Sequence, residues 1–341
     1  MPHRLPAFTI QWHLTERCNL RCIHCYQNER FVKQELTFAQ SKKIIDEILK
    51  ALKIWKRRGR INFTGGEPLI KEKLLFRLIK YVKQKDPKIS IGILTNGTLL
   101  TNSMVKKLKK AGVAFVQVSL DGATEKVNDS IRGPGSFNKA IEGIKRLVKA
   151  KFTTAIMFTL HKKNMGEIPR LIDLAIDLGV TRLGVERVVP TGRGKSLEKE
   201  MLTPEELHQI FLYLAKRRQE IKKKGQKLDI WTYRPLWCLL RKEIKDSQIG
   251  GGCSAGLNGL TIMPNGDVMP CRRLNLVIGN LLKDNLFELW YSSPILWDLR
   301  ERTKIIKCGK CPHLPNCGGC RAVAYAVTGN YLEKDPQCWK K

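Results

Sequence analysis

The sequence predicts an α/β fold: a partial (β/α)6, TIM-like barrel followed by a small cysteine-rich domain. Strand-like and helix-like segments alternate through the first two-thirds of the 341 residues. The first three cysteines, Cys18, Cys22 and Cys25, directly follow the first strand-like segment, where the βα loops of a barrel carry function. From about Leu228 helices shorten, turns appear and cysteine density rises. The expected division is therefore residues 1–227 for the barrel and 228–341 for the second domain.

Taken in order, "AFTIQWHLT" reads as a strand, and "TFAQSKKIIDEILKALKIW" as an amphipathic helix capped by Thr37. "RINFTGG" and "ISIGILTNG" read as strands separated by the helical "KEKLLFRLIKYVKQ". "VAFVQVSLDG" is a strand, followed by a helix from Phe137 to Ala150. "FTTAIMFTL" and "TRLGVERVV" are strands around the helix "IPRLIDLAIDLG", and a helix from about Thr203 to Lys224 closes the series. Repeated β/α units imply a parallel sheet with its site at the C-terminal strand ends. Beyond it, "NGLTIMPNGDVMPC" predicts a β-hairpin whose second strand delivers Cys271.

Composition narrows the class. Hydrophobic content of 43% and charged content of 27% fit a soluble globular chain. No run approaches the roughly 18 uncharged apolar residues that a membrane helix needs, and "MPHRLPAFTIQWHL" lacks a signal peptide's apolar core and cleavage site. The expected location is the cytoplasm. The net charge is +31, but the lysines and arginines are dispersed over helices and mixed with core leucines and isoleucines. That predicts a solvated basic surface without nucleic-acid binding, suited to an acidic electron donor. Eleven cysteines in a cytosolic chain point to metal or redox chemistry rather than disulfides.

Cys18, Cys22 and Cys25 bring three thiols to one short loop, one ligand short of a closed site. They could hold three irons of a [4Fe-4S] cube and leave the fourth iron free; a zinc ion completed by His24 or His13 is the alternative. "FTGGEP" follows the second strand. Its Gly65 and Gly66 are expected to let a ligand approach the backbone, and Glu67 to receive an ammonium group.

CxxxCxxC followed by GGEP in a chain of β/α units resembles the radical S-adenosylmethionine (SAM) enzymes. The resemblance implies that SAM chelates the free iron and is split to methionine and a 5'-deoxyadenosyl radical, which abstracts hydrogen from a substrate. It implies SAM contacts from Gly65, Gly66, Glu67 and Pro68, from Asn96 in "TNG", and from Ser119 and Asp121 in "SLDG". Arg132 matches an arginine placed near the SAM carboxylate, and "GVERVVPTGRG" lies on the adenine side. Turn capping or salt bridging is the competing role for Asn96, Asp121 and Arg132.

The C-terminal third resembles the SPASM extension, which holds auxiliary iron–sulfur clusters. The resemblance implies two, of the [4Fe-4S] type: one on Cys308, Cys311, Cys317 and Cys338, the other on Cys253, Cys271 and Cys320. A zinc ribbon is the alternative for "CGKC" and "CGGC". Two residues rather than three separate Cys317 from Cys320, and Arg272 and Arg273 stand where the sulfatase-maturing branch has an acidic base, so that activity is not expected. Cys238 is left over, as a buried thiol or as a fourth ligand beside Cys253, Cys271 and Cys320.

The resemblance implies a maturase that modifies a ribosomal peptide or a cofactor precursor, forming a thioether, carbon–carbon or similar bond. The tail "CGGCRAVAYAVTGNYLEKDPQC" also resembles enzymes that remodel haem-precursor side chains. A non-catalytic iron–sulfur or zinc protein would leave GGEP unexplained. Expected partners are ferredoxin or flavodoxin and, for a peptide substrate, a separate leader-peptide-binding protein, since the chain begins almost at its first strand.

Overall fold

A computed structural model describes residues 7–27, 34–232, 234–246, 249–250 and 252–340. One sheet organises them. Strands β1 (Phe8–His13), β2 (Gly59–Thr64), β3 (Ser90–Thr95), β4 (Phe115–Ser119), β5 (Thr153–Leu160) and β6 (Arg182–Arg187) pair in parallel in sequence order. This is the partial (β/α)6 barrel.

Helices α1 (Phe38–Ile54), α2 (Glu72–Lys85), α3 (Asn102–Lys110), α4 (Glu125–Arg132), α5 (Ser136–Lys149), α6 (Ile168–Asp177) and α7 (Pro204–Lys223) fill the connections. Local chemistry sets their starts. Thr37 and Gln40 form a reciprocal capping box on α1, as Thr203 and Glu206 do on α7. The apolar stripe of α1, Ile44, Ile45 and Ile48, is fully buried. The sequence reading passed over α3 and α4, which are short and lysine-rich or polar on their exposed faces.

Residues 228–341 share the sheet with residues 1–227. β7 (Asp229–Ile230) extends the β6 edge in parallel. At the other edge β8 (Gly259–Ile262) pairs in parallel with β1, Thr9 facing Gly259 and Trp12 facing Ile262. β8 turns back through the hairpin to β9 (Asp267–Met269), and β10 (Gly279–Asn280) completes a ten-stranded sheet. Both open edges of the barrel are thereby paired. Short helices α8 (Arg241–Ile244), α9 (Leu286–Ser292), α10 (Pro294–Arg300) and α11 (Arg321–Thr328) complete the tail.

The two faces of the barrel differ. On β1, Phe8, Ile10 and Trp12 are buried, with Phe8 against Trp55 at the end of α1, while Thr9 and Gln11 are half-buried. Ile61 and Phe63 of β2 and Val116 and Val118 of β4 are sealed, but Arg60, Asn62, Gln117 and Ser119 are not. A closed eight-stranded barrel fills its interior with branched apolar side chains. Here the inward face is polar and partly open, so the lumen is a receptacle.

Candidate active site

Parallel pairing brings the β1 to β6 exits to one end of the sheet. The loop after β1 carries Cys18, Cys22 and Cys25. It is fixed from several sides: Leu14 N–H donates to Thr64 O (2.9 Å), Ile23 N–H to Ile131 O (2.9 Å), and Gly194 N–H to Cys25 O (3.0 Å). Donors also point at sulfur. Leu20 N–H and Asn96 Nδ2 approach Cys18 Sγ at 3.4 and 3.8 Å, and Arg132 Nη1 approaches Cys22 Sγ at 3.8 Å. Burial pushes the free Cys22 thiol up to about 11 against the pull of Arg132, and it raises Cys18 as well. A bound metal would favour the thiolate form of these thiols.

The GGEP turn packs closely against the cysteine loop. A Cβ on Gly65 would stand 2.4 Å from Thr15 O, and one on Gly66 2.1 Å from Arg17 O. The glycines exist so that the cysteine loop can lie on this turn. Gly66 N–H donates to Thr15 O at 2.7 Å and Glu67 N–H to Arg17 O at 2.9 Å. Pro68 opens the single 3₁₀ turn behind them. Glu67 is fully buried and accepts from Leu69 N–H (3.1 Å), Thr95 Oγ1 (2.7 Å) and Asn96 N–H (2.8 Å). Glu67 thus braces the β2 exit against the β3 exit. Asn96, so held, reaches Asn19 Oδ1 at 2.9 Å as well as Cys18.

Asp121 is likewise a hub. Its carboxylate takes Arg132 Nε at 2.6 Å, His24 Nε2 at 2.5 Å and Thr159 N–H at 2.7 Å. Burial opposes ionisation, but Arg132 and His24 overcome it and hold the carboxyl well below the usual range. The salt bridge to Arg132 is thus present, deep in the site rather than on the surface. Ser119 stands half-buried at the β4 exit. Sequence reasoning did not find His161, a fully buried histidine whose ring lies 6.4 Å from that of His24. Burial lowers it to about 4, so it is neutral. A histidine one residue beyond a strand carries no local signal.

In the C-terminal part, Cys253, Cys271 and Cys320 lie within electrostatic reach of one another, and burial pushes Cys253 up to about 12. Cys308, Cys311 and Cys317 form a second group, with Cys338 beside Cys317. The Cys238 thiol lies beside Cys317, which pushes its pKa up. Among the described residues no three Cys, His, Asp or Glu side chains converge as a single metal ion requires.

Comparison with known proteins adds the decisive observation. The model of the radical SAM superfamily matches residues 12–175, and that of an iron–sulfur cluster-binding domain, SPASM, matches residues 253–320. The AdoMet-dependent heme synthase of Methanosarcina barkeri is 33% identical, the match covering 96% of this chain and 95% of that protein. The chain belongs to the radical SAM superfamily. It is a SPASM-containing enzyme of that superfamily, a class that works with iron–sulfur clusters and SAM. The mycofactocin maturase MftC of Mycobacterium tuberculosis is 32% identical over 96% of this chain and 82% of its own length. Among solved structures, Streptococcus suis SuiB bound to S-adenosylmethionine superposes with a TM-score of 0.77 at 22% identity, covering 98% of this chain and 77% of that one. Native anSMEcpe with bound AdoMet gives 0.78 at 19% identity over 97% and 94%. These two show the fold. No helix among the described residues is long and apolar enough to cross a membrane.

Proposed function

We propose that this radical SAM enzyme cleaves SAM reductively at a cluster on Cys18, Cys22 and Cys25 and modifies a peptide or cofactor precursor held in the barrel lumen. The observation that carries the reading is the cysteine loop itself. Three thiols share one loop at the strand exits, N–H donors face two of the sulfurs, and the loop opens on a polar, half-exposed lumen. This donor set suits a three-cysteine [4Fe-4S] cube. When bound, cluster and SAM supply the 5'-deoxyadenosyl radical that removes a hydrogen atom from the substrate.

The chain's own residues do the holding. Glu67 fixes the β3 exit through Thr95 and Asn96, which sets Asn96 beside Cys18. Asp121 orients Arg132 toward Cys22 and fixes His24 within the cysteine loop. With Ser119, these groups and the glycine turn form the surface on which SAM is placed. Cys253, Cys271 and Cys320, and Cys308, Cys311, Cys317 and Cys338, would hold auxiliary clusters, which would supply an electron acceptor or a substrate-binding iron. An acidic donor such as ferredoxin or flavodoxin suits the +31 charge.

A tetrapyrrole carrying carboxylate side chains is the second reading. The arginines at the lumen mouth favour it: Arg234 and Arg273 converge on Glu186, and Arg272 directly precedes Arg273. So do the heme synthase relative and the M. barkeri Fe-coproporphyrin III synthase, 30% identical over 97% of this chain and 87% of its own length. Anaerobic incubation with SAM, reductant and either candidate precursor peptides or iron coproporphyrin, read by mass spectrometry, separates the two. A mass change with 5'-deoxyadenosine release in one arm identifies the substrate class; no 5'-deoxyadenosine in any arm contradicts the reading.

A further inference from the structure

The lumen mouth contains buried donors that lack acceptors. Arg272, directly after Cys271, is 6% exposed, and its Nε is buried with no hydrogen-bond partner. Its Nη2 stands 3.5 Å from Glu16 Oε1, at the outer limit of a hydrogen bond. Neighbouring arginines are better satisfied: Arg273 places both Nη atoms 3.3 Å from Glu186 Oε2, and Arg187 is bidentate on Asp335. The Arg272 guanidinium lies 5.0 Å from the Tyr26 ring centre. His13 packs edge-on to the same ring at 6.2 Å, fully buried with neither ring nitrogen partnered. Burial, then the Arg272 charge, keeps that imidazole neutral, so one nitrogen carries a proton to donate. Tyr26 adjoins Cys25 and feels the charge of Cys271, which puts the set between the SAM-site loop and the Cys253–Cys271–Cys320 group.

A buried guanidinium with an idle donor is costly, and native structures keep such groups only where something else completes them. An acceptor is missing, and Glu16 alongside disfavours a dianion. We propose that Arg272, with His13 and Tyr26, forms a subsite for a single carboxylate of the substrate. The planar fork of a guanidinium matches a carboxylate in a way an ammonium does not. This rests on the substrate-modifying role argued above and adds what the substrate must carry. It also assigns a use to the arginine that stands where a related branch has its base: the site binds an anion there.

The test uses anaerobic enzyme with all clusters reconstituted, in about 0.3 M salt to screen the basic surface. Propionate and its uncharged isostere propionamide are compared by calorimetric titration. The parent is expected to bind propionate and to favour it over the amide. Arg272→Met is expected to weaken propionate about tenfold or more with little effect on the amide, and Arg272→Lys to recover part of the loss. Equal binding of acid and amide by the parent, or an acid preference that survives in Arg272→Met, overturns the subsite. Should Arg272→Met fail to fold, the parent's acid preference and its reduction in Arg272→Lys decide. Iron coproporphyrin III against its tetramethyl ester identifies the source. A preference for the acid that depends on Arg272 assigns a tetrapyrrole carboxylate, whereas equal binding with propionate still selected assigns a peptide carboxylate. SAM cleavage by the parent, measured alongside, separates failure of this subsite from failure of the radical SAM reading.

Discussion

Arg187 at the end of β6 grips Asp335 near the C-terminus through two parallel hydrogen bonds, Nη1 to Oδ1 at 3.0 Å and Nη2 to Oδ2 at 2.8 Å. Both side chains are buried. Asp335 also accepts the backbone N–H of Cys320 at 2.7 Å, and Gln337 adds a contact from Arg187 at 2.9 Å. One carboxylate thus ties a barrel strand to a cysteine of one C-terminal group and, three residues on, to Cys338 of the other. Replacing Asp335 with Asn leaves a buried guanidinium uncompensated, which costs about 3–5 kcal/mol. The expected result is a lower melting temperature together with loss of C-terminal iron, checked by calorimetry and iron analysis. A variant with parental melting and iron content would show that the pair does not hold the tail.

Gly66→Ala should spare the fold and disable the site. Its Cβ would meet the Arg17 carbonyl at 2.1 Å, so the cysteine loop must shift. Displacement of about 1 Å costs on the order of 100-fold in rate. The expectation is a drop of that size in 5'-deoxyadenosine formation with an unchanged far-ultraviolet circular dichroism spectrum. Parental turnover would refute the packing role of the turn.

Glu67 gives stability a pH dependence of definite sign. Burial raises its carboxyl to about 7 despite three hydrogen bonds. The unfolded chain releases this proton near the ordinary value of about 4.3. Between those values the folded state binds more protons, so this group's contribution to stability falls as pH rises and levels off above about 7. Melting temperatures from pH 5.5 to 8 should fall more steeply with pH in the parent than in Glu67→Gln. Parallel profiles would mean that Glu67 titrates normally.

Cys238→Ala should disturb the group containing Cys317 and leave the Cys253 group alone, because the Cys238 thiol contacts Cys317. Electron paramagnetic resonance of the reduced auxiliary clusters reads this directly. A change confined to the Cys253–Cys271–Cys320 signal would contradict the structure's placement of Cys238.

The strand order β1 to β6 and the cysteine loop were readable because each rests on local signals: alternating apolar patterns, caps such as Thr37, and thiols three or four residues apart. Pairing of β8 with β1 was not, since four residues from Gly259 to Ile262 cannot announce a partner some 250 positions away. The packing of the GGEP glycines on the backbone of Thr15 and Arg17 was not legible either, because only folding brings those segments together. For the same reason nothing local in the sequence marks Arg187 and Asp335 as a pair. Tyr26, His13 and Arg272 gave no sign of meeting, because their proximity depends on the hairpin returning to the mouth of β1.

The most direct measurement of the central claim is SAM cleavage by a variant with Cys18, Cys22 and Cys25 all changed to Ala. Reconstituted anaerobically and supplied with SAM and dithionite, it should retain the iron of the C-terminal groups and form no 5'-deoxyadenosine. Continued 5'-deoxyadenosine formation by that variant would contradict the assignment of those three cysteines to the SAM-cleaving cluster.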